Sequence, residues 1–159
     1  MIPKMTMGEA FKRFWINGLV FTGRSRRREY WLSMLANLFI LIPLFILMGF
    51  LISGFGVSER LMDGIASIIG LIFLVPGTAM MVRRFHDVNL TGKIPVIFAI
   101  LYGIYLILDA TPLSNNMSFI ITTGLINFVT GLFEFIVTCI DGTAGPNKYG
   151  EDPKRMIVG

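Results

Sequence analysis

Long apolar runs, separated by short polar stretches, make up most of this chain, and four of the runs hold at most one charged residue. A bilayer core of ~30 Å takes about 20 helical residues to cross. Inside lipid, a helix satisfies every backbone group within one segment. The pattern therefore predicts an all-α membrane protein with four transmembrane helices, at about 31–55, 65–82, 94–108 and 119–140.

Composition supports the same class of protein. Hydrophobic residues make up 54% of the 159 positions, charged residues 15%, and the mean hydropathy is +0.72. Soluble domains average roughly 45–50% apolar and about 25% charged residues. A soluble helical core is the alternative, but no soluble fold covers this much apolar surface. The length fits one domain, so we expect a single four-span unit over 1–159.

Residues 6–18 have the pattern of a short amphipathic helix. Thr6 and Glu9 stand at capping-box spacing, in which each side chain accepts a hydrogen bond from the backbone amide of the other residue. Apolar residues recur on one helical face, and Lys12 and Arg13 lie off it. A basic, aromatic-rich helix of this kind lies in the membrane interface. Packing against one end of the bundle is a compatible alternative.

Positive residues are unevenly distributed. Every lysine and arginine except Arg60 precedes the first predicted span, lies between the second and third, or follows the fourth. The positive-inside rule therefore predicts that both termini are cytoplasmic. Residues 141–159, dense in turn-forming residues, are predicted to form an ordered cytoplasmic tail. The net charge of +4 indicates topology first and anionic lipid contact second, and not nucleic-acid binding.

Three polar stretches, 23–31, 83–87 and 141–153, are brought by this topology to one face of the membrane. The first holds four arginines within five residues. Arginine is favoured where planar, bidentate contact with carboxylate or phosphate is required, although a basic anchoring flank is the simpler interpretation. The candidate ligand or network residues on this face are Arg24, Arg27, Glu29, Arg83, Arg84, His86, Asp87, Asp141, Asn147, Tyr149 and Asp152.

The fourth predicted span carries small and polar residues at helical spacing. Gly124, Asn127, Gly131, Glu134, Thr138 and Asp141 follow one another by three or four positions and so share one stripe. A carboxylate inside a membrane costs a few kcal/mol unless it is paired, protonated or hydrated. Glu134 and Asn127 are therefore further candidates. We expect Arg83 or Arg84 as the partner of Glu134, and a purely structural salt bridge is the alternative role.

The three polar motifs together resemble the DUF805 family. They read Gly-Arg-x-x-Arg-x-Glu-Tyr-Trp at 23–31, Arg-Arg-x-His-Asp at 83–87 and Gly-Thr-x-Gly-x-Asn-x-Tyr-Gly-x-Asp-Pro at 142–153. The resemblance implies a small, multi-pass inner-membrane protein of bacteria, or one encoded by a phage, with no established activity. Lys93 departs from the family pattern, which usually has tryptophan there.

Three functions fit these features. The preferred one is a non-enzymatic membrane module whose arginines bind an anionic lipid headgroup or a partner, oriented by the carboxylates. The second is a small transporter or proton-coupled carrier that uses Glu134 and Asn127, with His86 as a relay. The third is an interfacial enzyme with His86 as a base, although no nucleophile lies beside it.

The expected partners are few. The lipid bilayer is the first of them, with anionic phospholipid as the specific component. A second copy of the chain or another membrane protein is a further class of partner. No cofactor is predicted, and a single histidine with one distant cysteine offers no metal site.

Overall fold

The computed structural model describes residues 5–109 and 111–154, and every regular element in that part of the chain is helical. The all-α prediction is thus confirmed. The elements are α1 Met7–Ile16, α2 Arg27–Phe55, α3 Glu59–Asp87, α4 Lys93–Asp109, a 3₁₀ turn at Pro112–Asn115 and α5 Met117–Cys139.

Within the described ranges, three helices, α2, α3 and α5, are long and apolar enough to cross a membrane. They have 29, 29 and 23 residues. With 17 residues, α4 is about 25 Å long at about 1.5 Å per residue, slightly less than a bilayer core of ~30 Å. The fourth span therefore stays a prediction. The α3 helix begins six residues before the predicted span, because its charged first turn is helical although it is not apolar.

Helix α1 begins with a complete capping box. The Glu9 amide donates to Thr6 Oγ1 at 3.2 Å, and the Thr6 amide donates to Glu9 Oε2 at 2.8 Å. The bond from the Thr6 amide stabilises the ionised carboxylate and contributes most to lowering the pKa of Glu9. The helix packs on the bundle, where Ser33 Oγ of α2 donates to the Ala10 carbonyl at 2.9 Å.

The buried core lies at one end of the bundle, the end at which α3 terminates in Asp87. We call this the Asp87 end. Its buried apolar residues are Phe14, Tyr30, Met80, Met81, Phe85 and Val137. Away from this end most apolar side chains of α5 are exposed, and Phe128 is 67% exposed in the isolated chain. The Asp87 end thus buries several charged side chains while the helices expose apolar surface, as expected of helices surrounded by lipid.

The segment after α5 returns across the Asp87 end. The Thr143 amide donates to the Asp87 carbonyl at 2.8 Å, and a single antiparallel bridge joins Asn147 and Gly150. The last part of the predicted tail, 155–159, lies outside the described residues.

Candidate functional site

The carboxylate of Asp87, at the last residue of α3, is the centre of a buried polar network. Arg24 contacts Oδ1 with Nε at 3.0 Å and with Nη2 at 2.9 Å. Arg84, one helical turn before Asp87, donates to Oδ2 through Nη1. All three side chains are almost completely excluded from solvent. Two guanidinium groups thus share one carboxylate, an arrangement that is stable only if further acceptors satisfy the remaining N–H groups.

Arg24 finds those acceptors in the backbone of the tail. Its Nη1 donates to the Gly145 carbonyl at 2.7 Å, and its Nη2 donates to the Thr143 carbonyl at 2.6 Å. Gly142 lies against the same site, because a Cβ at this position would stand 2.0 Å from Asp87 Oδ2. Arg24 therefore holds the tail in place, and position 142 has room only for a glycine because any Cβ would collide with the Asp87 carboxylate.

Arg83 and Arg84 bind backbone carbonyls of other segments. Arg83 Nη1 donates to the carbonyls of Asn17 and Val20 at 2.7 and 2.8 Å, and so holds the segment between α1 and α2. Arg84 Nη2 donates to the Ile140 carbonyl after α5. Arg84 Nε has no hydrogen-bond partner within the described residues. Each arginine thus ties α3 to a different part of the chain.

His86 stacks on Tyr149 of the tail. The ring centroids are 3.8 Å apart and the rings are inclined by 8°. Because the Gly23 carbonyl, 3.1 Å from His86 Nδ1, only accepts, this nitrogen carries a proton. The amide of Asn147 donates to the His86 carbonyl at 2.9 Å. On the other side of the ring, a Cβ on Gly92 would stand 2.8 Å from Nε2.

Asp152 closes the turn of the tail. Its Oδ1 accepts from the Lys154 amide at 2.9 Å and its Oδ2 from the Gly145 amide at 3.1 Å. These bonds, with that from Lys154 first, lower the pKa of Asp152. In the same turn, the Tyr149 amide donates to Asn147 Oδ1 at 2.9 Å.

Three candidates lie at the edge of this network. Arg27 and Asp141 form an exposed ion pair at 3.3 Å, and Arg27 also donates to the Cys139 carbonyl at 3.1 Å. Glu29 is buried in the first turn of α2, and no hydrogen bond or ion pair of its side chain is found in the described part of the chain. The exposed Arg27–Asp141 pair contributes little stability.

Glu134 and Asn127 lie apart from the network. They line a cavity of about 570 Å³ between the long helices, together with Asn37 of α2. The expected pairing of Glu134 with Arg83 or Arg84 is wrong, since the described residues show no such ion pair. The physical reason is that both arginines already bind backbone carbonyls or Asp87.

Sequence reasoning missed three residues of these sites. Gly142 and Thr143 belong to the motif at 142–153, but neither residue type carries a signal for contact with a buried aspartate. Asn37 is an amide in the middle of an uncharged apolar run, and that polarity was an available signal. The described residues contain no group of histidine, cysteine, aspartate and glutamate side chains able to hold a metal ion.

Comparisons with known proteins identify a family and two inner-membrane relatives. The family model described as "Protein of unknown function (DUF805)" matches residues 18–151. The chain is 28% identical over 139 residues to "Inner membrane protein YhaH" of Escherichia coli (strain K12), covering 87% of this chain and 90% of that protein. It is 25% identical over 142 residues to "Inner membrane protein YhaI" of the same strain, covering 87% and 89%. No solved structure matches at a significant level.

Proposed function

We propose that this chain, which belongs to the DUF805 family of proteins of unknown function, is a four-span inner-membrane protein that binds anionic phospholipid without catalysis. In this proposal α4 is the fourth span, both termini are cytoplasmic, and the Asp87 end faces the cytoplasm. The support for this orientation is that the network, the tail and the basic segment before α2 all meet at that end. Positively charged segments of this kind stay on the cytoplasmic side.

In this proposal the buried arginines hold the structure of the site together and do not bind the lipid. Arg24, Arg83 and Arg84 already have internal acceptors, so a phosphate could reach them only by breaking those bonds. The cations that remain for a headgroup are exposed ones. We therefore propose that the headgroup binds the lysines beside the network and not the arginines that the sequence predicts.

One observation carries the proposal. A groove of about 540 Å³ runs beside the His86–Tyr149 stack, and its lining is mostly apolar, with Phe21, Val82, Val96 and Ile97. Lys93 lines the same groove at the start of α4. Lys148 stands over the Tyr149 ring at 5.0 Å from its centroid. An apolar groove with one exposed lysine in its wall and a second beside it suits an acyl chain and its phosphate.

The test uses the full-length protein in nanodiscs that contain phosphatidylcholine and phosphatidylglycerol, with the retained lipid counted by native mass spectrometry. Each lysine near an anionic surface contributes about 1 kcal/mol, so the loss of both in Lys93→Gln with Lys148→Gln, about 2 kcal/mol, should lower the preference for phosphatidylglycerol roughly thirtyfold. The matched control is Lys12→Gln with Lys154→Gln, two exposed lysines that do not line the groove. Equal preference in both double variants would overturn the proposal.

A carrier that uses Glu134 is the second candidate function, and the interhelical cavity favours it. Glu134 and Asn127 both line this cavity. Ion flux in reconstituted vesicles that is lost in Glu134→Gln would support transport, and flux that survives the substitution would contradict it. No comparable observation supports the enzyme, because two arginines engage Asp87 and a backbone carbonyl engages His86.

A further inference from the structure

We propose that the interhelical cavity binds an amphiphilic ammonium ligand, with the Glu134 carboxylate as its counter-ion and Asn37 Oδ1 as a second acceptor. The inference is independent of the phospholipid proposal. It gives a ligand class to the cavity of the second candidate function but does not require transport. The cavity can therefore bind a ligand even if no flux is found.

The size and walls of the cavity suit a small amphiphile. Its volume of about 570 Å³ lies within the roughly 300–1,000 Å³ that is typical of ligand pockets. Helices α2, α3 and α4 contribute apolar side chains to it, among them Leu38, Phe73, Met80 and Phe98, whereas α5 contributes its polar residues. An occupant thus needs an apolar body.

The side-chain oxygen of Asn37 is a hydrogen-bond acceptor to which no described residue donates. The residue is only 5% exposed, and its Nδ2 donates to the Ser33 carbonyl at 2.8 Å. A carbonyl accepts only, which fixes the orientation of the amide and turns the other end toward a different partner. That end, Oδ1, is buried and has no hydrogen-bond partner in the described structure. A buried acceptor of this kind calls for a donor that the described residues do not supply, and the ammonium group of a ligand is such a donor.

The hydroxyl groups on the wall add acceptors more readily than donors. Ser33, Thr78 and Thr130 all line the cavity. Their protons are already used, because they donate to the carbonyls of Ala10, Leu74 and Ile126 at 2.9, 2.6 and 2.9 Å. The oxygens keep lone pairs that can still accept.

Glu134 gives the cavity a site for a positive charge. Within the described residues its carboxylate forms no ion pair, and Thr130 lies one turn before it on the same helical face. A carboxylate in a low-dielectric site gains most from a cation that also donates hydrogen bonds. A primary or secondary ammonium group meets both requirements, and its apolar body matches the walls.

The test follows the fluorescence of dansylcadaverine, a primary ammonium with an aromatic body, on titration with the full-length protein in a non-ionic detergent. Its N-acetylated form has the same body but no charge. We expect saturable binding of the ammonium form and at least tenfold weaker binding of the acetylated form. Glu134→Gln should weaken binding of the ammonium at least tenfold. The matched control is Asp141→Asn, which removes an exposed carboxylate that pairs with Arg27 outside the cavity.

A second variant keeps the test decisive if Glu134→Gln fails to fold. Asn37→Leu has a similar volume, removes the unpartnered oxygen and should weaken binding several-fold. Thermal unfolding of each variant checks that the fold is intact. Equal affinity for the two probes, or unchanged affinity in every folded variant of Glu134 and Asn37, would overturn the proposal. Binding without ion flux would support the ligand site and contradict only the proposal that the protein is a carrier.

Discussion

At the scale of single residues, the charge balance of the buried network rests on Asp87. Its carboxylate faces the guanidinium groups of Arg24 and Arg84, and its own carbonyl accepts from Thr143. In a buried group of charges, removal of one partner leaves the others desolvated and unpaired, which costs about 3–5 kcal/mol. Residues that set the position of Asp87 therefore affect the whole Asp87 end.

Gly142→Ala should destabilise the protein without changing any charge. The new Cβ would stand 2.0 Å from Asp87 Oδ2, and this carboxylate cannot move away without losing its contact with an arginine. Overpacking of this kind costs about 1–3 kcal/mol. We expect the midpoint of thermal unfolding in detergent, followed by intrinsic fluorescence, to fall by several degrees.

Gly8→Ala is the matched control for that measurement. Gly8 lies in α1, and nothing stands within 4 Å of a Cβ built on it. Alanine is the better helix former, so the unfolding midpoint should stay unchanged or rise slightly. A fall of equal size in both variants would mean that the close approach at Asp87 has no special cost.

The residues of this network could be predicted from the sequence, but their bonds could not. Charge and topology were enough to predict that Arg24, Arg84 and Asp87 share one face. The acceptors that bind the arginines are mostly backbone carbonyls, such as those of Gly145 and Ile140. Every residue has a carbonyl, so the sequence carries no signal for which of them points inward.

At the scale of elements, hydropathy predicted the helices and missed their polar ends. The apolar run that begins at residue 65 lies within α3, which extends from Glu59 to Asp87. A helix continues through charged residues as long as its hydrogen bonds are made, so the apolar segment marks the minimum length of the helix. The stripe of α5 was predicted from spacing, whereas the cavity it faces depends on the packing of four helices.

The tail is the element whose stability should depend on acid. The pKa of Asp152 is lowered from its ordinary value of 3.8 by amide donors, that of Lys154 first. Since the folded-state pKa lies below the unfolded one, the ionised carboxylate stabilises the turn fully above the ordinary value, and this stabilisation is lost as pH falls through the folded value. Cleavage of the tail by pepsin should therefore accelerate as the solution is acidified.

Two comparisons isolate the contribution of Asp152. An unfolded peptide with the sequence of the tail corrects for the pH dependence of pepsin itself. Asp152→Asn removes the titrating group, so its tail should be cleaved at a corrected rate that changes little with pH. A corrected rate for the unsubstituted protein that is equally flat would show that the two amide bonds do not stabilise the turn.

At the scale of the whole molecule, the distribution of positive charge predicts which end faces the cytoplasm. Arg60 lies in the first turn of α3 and Arg84 in its last turn, about 36 Å apart along the helix, so the two lie at opposite ends of the bundle. The loop that holds Thr91 and the tail residue Lys148 lie at the Asp87 end, beside the same groove. The four-span topology therefore predicts that Thr91 and Lys148 share one side of the membrane and that Ser58 lies on the other.

Single cysteines introduced in a Cys139→Ser background test this topology, because a maleimide that cannot cross the membrane labels only the periplasmic side of intact spheroplasts. Ser58→Cys should be labelled, and Thr91→Cys and Lys148→Cys should be labelled only after lysis.

Ser114→Cys, between α4 and α5, decides whether the 17-residue α4 crosses the membrane. If it does, Ser114 is labelled from outside. If α4 lies on the membrane instead, Ser114 stays on the side of Thr91 and α5 carries Lys148 to the periplasm, which would separate His86 from its stacked Tyr149 and contradict the contact at 3.8 Å.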